Sequence, residues 1–206
     1  MNLSLNEIEG GVRKAALGAG LSVGLADDTG RAVAVLQAYG FDGISAALAG
    51  FANTGLAARP VIKNSDATFD AGNPIPNAVS ALDLVAAGVV KRVLMRAIEA
   101  PLLVVGLAAI AAQDQGGGFV VGVGSSGFAL VSGGGIAIEG VLASGVTEVT
   151  ISRSRPDGTV RPRPDHIPDV PPAIWAQVQA LAALTYVPAT EASRLSGAGA
   201  GMTDND

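Results

Sequence analysis

The sequence predicts an α+β fold: helices at the N-terminus, a central, mostly antiparallel, glycine-rich sheet, then a C-terminal helix and tail. Three observations carry this. Apolar residues recur at helical spacing from Leu5 to Phe51. After a proline-punctuated middle, short β-rich runs divided by glycine and serine fill residues 89–152. A helical stripe then returns from Pro172 to Leu184. A switch from period 3.6 to short strand-like runs, without regular alternation of the two, is the mark of segregated helices and strands.

The first helix opens at Ser4, with Glu7 three residues on; this capping box lets each side chain satisfy the other's free backbone N–H. Leu5, Ile8, Val12, Ala15 and Ala16 form its apolar face, and Gly18 and Gly20 end it. The second helix spans Ser22 to Ala38, with Leu25, Val33, Leu36 and the alanines inward and Asp27, Asp28 and Arg31 toward water. Gly40 stops it. A third helix, Gly43 to Phe51, follows Asp42. Residues 54–77 carry Pro60, Pro74 and Pro76 and read as a loop or crossover, with one strand near Val61–Lys63.

Ala78–Ala87 is expected to be helical and Val89–Met95 to be a strand, because Val89, Val90, Val93 and Leu94 dominate it. Ala100–Ala112 is uncharged and apolar, and Pro101 suits a first helical turn. At 13 residues it falls short of the ~20 that span a bilayer, so it is read as a buried core helix. Three or four short strands follow, over Phe119–Val123, Phe128–Val131, Ile136–Ile138 and Val146–Ser152. Arg153–Pro172 is a proline-rich loop. The final helix holds the only tryptophan, Trp175, which its apolar neighbours Ile174, Val178, Leu181 and Leu184 predict to be buried.

Composition bounds the function. At 206 residues, one domain over 1–206 is expected. Hydrophobic residues make up 49% and charged residues 15%, enough for a sizeable core, while aromatics are only 4%. A core of Ala, Val, Leu and Gly lets elements approach closely. The net charge of -5 argues against a nucleic-acid partner, which needs a basic face. Arg153, Arg155, Arg161 and Arg163 are read as a solvated loop. No cysteine is present, so disulfides and thiolate chemistry are excluded. With Glu7 and Glu9 near the start where a signal peptide would be basic and apolar, a cytoplasmic protein with no membrane contact is expected.

Chemistry-bearing motifs are few. Gly122, Gly124 and Gly127 spell G-x-G-x-x-G, but β-like sequence follows where a dinucleotide fold needs a helix, so hairpin turns are expected. His166, the only histidine, lies in an extended proline-rich run and reads as a solvated loop residue. No metal site and no nucleophile–base pair stands out, and no cofactor is indicated. The C-terminus is the most unusual stretch. Pro188 can start a short helix and Gly197 end it, with Glu191 and Arg194 paired one turn apart. Gly197 and Gly199 then alternate with alanine before Asp204, Asn205 and Asp206.

Two blocks, Ser4-Leu-Asn-Glu-Ile-Glu with Arg13-Lys-Ala-Ala-Leu-Gly-Ala-Gly, and Thr185-Tyr-Val-Pro with Glu191-Ala-Ser-Arg through Asp206, resemble a bacterial domain-of-unknown-function family, number 3726. This chain departs from the family's Lys-Ala-Ala-Arg-Gly-Ala-Gly pattern at Leu17. The family brings no activity with it. The resemblance implies that the tail belongs to the folded unit and neighbours the Arg13–Gly20 block. The favoured reading of function is binding or turnover of a small polar, amino-acid-like metabolite at a site formed by Arg13, Lys14, Glu191, Ser193, Arg194, Gly197, Gly199, Asp204 and Asp206. The alternative is a non-catalytic accessory protein whose end blocks dock on a partner subunit.

Overall fold

The computed structural model describes residues 1–53, 55–70, 72–133, 135–154, 163 and 167–186. His166, the expected Pro188 helix and the tail lie outside the described residues. Among the described residues, six helices and seven strands run in the order α1 (Leu5–Gly18), α2 (Val23–Ala38), α3 (Gly43–Phe51), β1 (Val61–Lys63), β2 (Asp66–Phe69), α4 (Pro74–Ala86), β3 (Arg92–Ile98), α5 (Pro101–Gln115), β4 (Gly118–Val123), β5 (Gly127–Ser132), β6 (Gly135–Gly140), β7 (Thr147–Ser154) and α6 (Pro172–Ala183). The fold is α+β.

The strands form one sheet in the order β1-β2-β3-β7-β4-β5-β6. Only β2 and β3 are parallel, joined by the α4 crossover; every other pair is antiparallel. Burial alternates along the strands, as a period of two requires. Val93, Met95, Phe119, Val121, Val123, Val149 and Ile151 are buried, while Leu94, Val120 and Leu130 point the other way and are half-buried.

The helices stack outward from the buried face. α5 packs on β4, β5 and β7; α2 packs on α5, α1 on α2, and α6 on α1. α5 is apolar all round and buried along nearly its whole length, the pattern of a central helix. Small residues set the spacing. A Cβ on Gly106 of α5 would stand 2.9 Å from the Ala32 carbonyl oxygen of α2, and one on Gly30 would stand 2.8 Å from the Glu9 carbonyl oxygen of α1. Trp175 is buried, its ring against Gly11 of α1.

Three differences from the sequence reading have physical reasons. β3 runs over Arg92–Ile98 rather than Val89–Met95. Val89 and Val90 instead fold back after Gly88 (φ +70), both N–H groups donating to the Leu84 carbonyl. α4 begins at Pro74, four residues early, because the Asn73 side chain accepts from the Ile75 N–H and proline fills the first turn. β2 is a strand the sequence does not predict: the tight Asn64–Ser65 turn, with Asn64 at φ +56, pairs it with β1.

Candidate ligand cavity

Three chain segments meet at one corner of the molecule. The first is the start of α3. Gln37 accepts at Oε1 from the Gly43 N–H at 3.1 Å, and Asp42 accepts at Oδ1 from the Ser45 N–H at 3.0 Å. Aspartate is a strong N-cap because its carboxylate satisfies a free N–H of the first turn. Phe41 and Asp42 are thereby fixed at the helix mouth.

The second is the passage from β3 to α5. The ladder with β7 shifts register between Met95 and Ile98, and Ala97 stands at φ +53 in this bulge. A non-glycine residue there is strained, and bulges re-aim the residues after them. Glu99, Ala100 and Pro101 come next in the chain, the last opening α5. The third is the segment after β6. The Val141 N–H donates to the Ser126 carbonyl at 3.3 Å, tying residues 141–145 to the β4–β5 turn.

Between them lies a cavity of about 600 Å³. Its walls are mainly apolar, from Phe41, Ala46, Pro101, Leu102, Ile138 and Leu142, and its polar side chains are Asp42, Ser45, Glu99 and Ser144. Val141 and Val146 beside it are 73% and 66% exposed. A second cavity of about 250 Å³ shares Phe41 and Asp42 and is closed by Pro168–Pro171 and Ile174.

A smaller hollow of about 80 Å³, away from this corner, is lined by Asp28, Asp83 and Asp114. Arg31 donates to both Asp114 oxygens at 2.8 and 2.7 Å, which holds the Asp114 carboxyl below its ordinary range. Burial pushes the Asp28 carboxyl up, against the opposing pull of Arg31. Among the described residues no group of three His, Asp or Glu side chains could hold a metal ion.

Of the residues singled out in the sequence, Arg13 and Lys14 are described. The Arg13 Nε donates to Asp27 Oδ1, joining α1 to α2, and Lys14 is exposed. Neither lines the large cavity. Glu191, Ser193, Arg194, Gly197, Gly199, Asp204 and Asp206 lie outside the described residues. The G-x-G-x-x-G stretch is the β4–β5 hairpin. A Cβ on Gly127 would collide with the Val141 carbonyl, so this glycine serves close packing of backbones. Sequence reasoning takes Asp42 as a helix start and leaves Glu99 aside; the available signal is a carboxylate between a strand and a proline-opened helix.

Comparison with solved structures gives distant likenesses. Malate dehydrogenase from Entamoeba histolytica matches with 15% identity and a TM-score of 0.47, over 64% of this chain and 46% of that one. Malate dehydrogenase from Pyrococcus horikoshii OT3 matches with 11% identity and a TM-score of 0.46, over 64% and 47%. Sulfolactate dehydrogenase from Methanocaldococcus jannaschii matches with 11% identity and a TM-score of 0.48, over 69% and 51%. The chain spans about half the length of each. No curated protein matches the sequence. One family model does match, over residues 3–68, a stretch that runs from the α1 cap through Asp42 and Ser45 to β2. Over those residues the chain matches the family described as "Protein of unknown function (DUF3726)".

Proposed function

We propose that this protein binds a small polar, amino-acid-like metabolite, and that the cavity between the starts of α3 and α5 is where it does so. The observation that carries the reading is the cavity itself: about 600 Å³, apolar walls, four polar side chains. Its size lies in the range of small-molecule sites, which are mostly apolar with a few polar groups that fix orientation. The strained Ala97 supports the choice of corner, since strain held by surrounding structure tends to gather at binding sites.

The Arg13–Lys14 block contributes less on this view. Arg13 already faces Asp27, and an ion pair between two helices serves packing as well as recognition. Among the described lining residues there is no histidine or lysine to activate Ser45 or Ser144. Binding is therefore the part of the reading that the lining supports.

A thermal-shift screen against a metabolite set tests it. A ligand present at about 100 times its Kd adds about 2.7 kcal/mol to the native state, which raises Tm by roughly 5–10 °C in a chain of this size. Ala46→Trp, which fills the cavity, is expected to abolish the shift while leaving the unliganded fold intact. Hits that persist in Ala46→Trp place the ligand elsewhere.

The accessory-protein reading draws on one observation. β1 is an edge strand with Val61 and Ile62 about half exposed and Leu56 at 89%. An apolar edge invites pairing with another chain. A hit that Ala46→Trp removes decides for the small molecule.

A further inference from the structure

We infer that, within the amino-acid-like class proposed above, the cavity favours amines that lack a carboxylate, an organic ammonium on an apolar body, and that Glu99 and Asp42 hold that head. This rests on the cavity being a ligand site, as proposed above. Charge decides it. Asp42 and Glu99 are the only ionisable side chains among the described lining residues, both are carboxylates, and no basic group pairs with either among the described residues.

The competing attraction, of the two helix amino ends for an anion, is largely spent. The α3 end already has its carboxylate in Asp42, bonded to the Ser45 N–H. The α5 end begins with Pro101, which has no N–H, and the Leu103 N–H is taken by the Ala100 carbonyl at 3.0 Å. A helix end presents about half a positive charge, so two of them do not offset two full carboxylates. An anion entering here meets net repulsion. An ammonium meets two carboxylates that no described cation neutralises, and Asp42 Oδ2 stays clear of the capping bond that occupies Oδ1.

The apolar share of the lining fixes the rest of the ligand. Ile138, Leu142, Leu102 and Ala46 offer a wall that a chain or ring of several carbons covers, and inorganic cations gain nothing there. The bulge at Ala97 serves as the positioning device, because it lets the chain leave β3 and turn into α5 within three residues, with Glu99 on the cavity side.

The test uses three probes with one body and three heads: hexylamine, hexanol and hexanoate. Each is titrated into the full-length protein at neutral pH and followed in amide-resolved NMR spectra. The expected result is that hexylamine shifts the resonances of residues 42–46, 99–102 and 138–145, binding at least tenfold more tightly than hexanol, with hexanoate weakest. Asp42→Asn keeps a good N-cap and Glu99→Gln keeps the shape, so both variants fold; each is expected to lose about tenfold in hexylamine affinity and to leave hexanol unchanged. If hexanol or hexanoate binds this cavity as tightly as hexylamine, or if neither variant weakens the amine, the cationic head is wrong while the ligand site stands. If no probe perturbs these residues, the site itself falls.

Discussion

Ala97 carries a side chain where the backbone asks for none. Holding a non-glycine residue at φ +53 costs of order 1–2 kcal/mol. Glycine removes that strain but adds about 0.5–1 kcal/mol of chain entropy to be lost on folding. Ala97 is exposed, so its methyl group contributes little packing. Ala97→Gly is therefore expected to stabilise the protein by about 0.5–1 kcal/mol in urea unfolding. It is also expected to weaken ligand binding slightly by loosening the turn that carries Glu99; a loss of stability instead would show that the methyl packs. Asp28 and Asp114 give a second residue-scale expectation, of opposite signs. The Asp114 carboxyl is held low by Arg31, so its pair adds stability above the ordinary aspartate range, and this is lost as pH falls through the depressed value. The Asp28 carboxyl is held high by burial. Its favourable contribution belongs to the protonated form, present below the ordinary aspartate range and lost as pH rises through the raised value. Asn mimics that protonated form. Asp28→Asn should thus melt higher than the parent at pH 7, with the difference closing below about pH 4; a gap that is the same at both pH values would remove burial as the cause.

At the scale of elements, helix-to-helix spacing is set by glycine where side chains would separate the backbones. Gly106→Ala would place a methyl 2.9 Å from the Ala32 carbonyl oxygen, and backbone cannot step aside cheaply. The helix-propensity gain of about 1 kcal/mol is smaller than the overpacking penalty of about 1–3 kcal/mol. A net loss of up to about 2 kcal/mol is expected in chemical denaturation. Gly10→Ala on α1, with nothing within 4 Å of the new methyl, should gain up to about 1 kcal/mol and serves as the control. The same elements show what is legible in the sequence. α1 announces itself through Ser4 and Glu7, and the Ser4 N–H to Glu7 bond at 2.8 Å bears this out. α5 is legible from uninterrupted apolarity after Pro101. β3 is displaced because Val89 and Val90 make the better apolar run, while the true strand alternates: Arg92 and Arg96 outward, Val93 and Met95 inward. β2 is four residues in a proline-punctuated stretch, held by its neighbours more than by its own sequence. The cavity is not legible at all. Asp42, Glu99 and Leu142 are far apart in the chain, and only the stacking of α5 on the sheet, with α3 beside it, brings them to one corner.

At the scale of the whole molecule, the pairing of α6 with α1 sets where the described chain ends. α6 packs along α1, and a Cβ on Gly18 would collide with the Leu181 carbonyl, so the two helices touch at that end. Leu184 and Tyr186, just beyond α6, are 70% and 62% exposed. The chain therefore passes residue 186 beside the Arg13–Gly20 block, at the opposite end of α1 from the Phe41–Asp42 corner. Two apolar side chains standing in water give residues 187–206 something to cover. Burying one such side chain contributes about 1.5–3 kcal/mol, which offsets the ordering of one or two residues at about 1–2 kcal/mol each. The glycine–alanine run and the terminal aspartates need polar partners besides, and Lys14, exposed on α1, is a basic group of that block. The proposal is that the tail docks there and strengthens the fold without entering the cavity. Truncation after Tyr186 is expected to lower Tm by about 2–8 °C, the equivalent of about 1–2 kcal/mol in a chain of about 200 residues. It should also speed amide exchange in Arg13–Gly20 while leaving hexylamine affinity unchanged. If Tm and exchange in that block stay the same, the tail does not dock on α1. If the truncation instead abolishes amine binding, the tail belongs to the ligand site and the two ends of the molecule act as one.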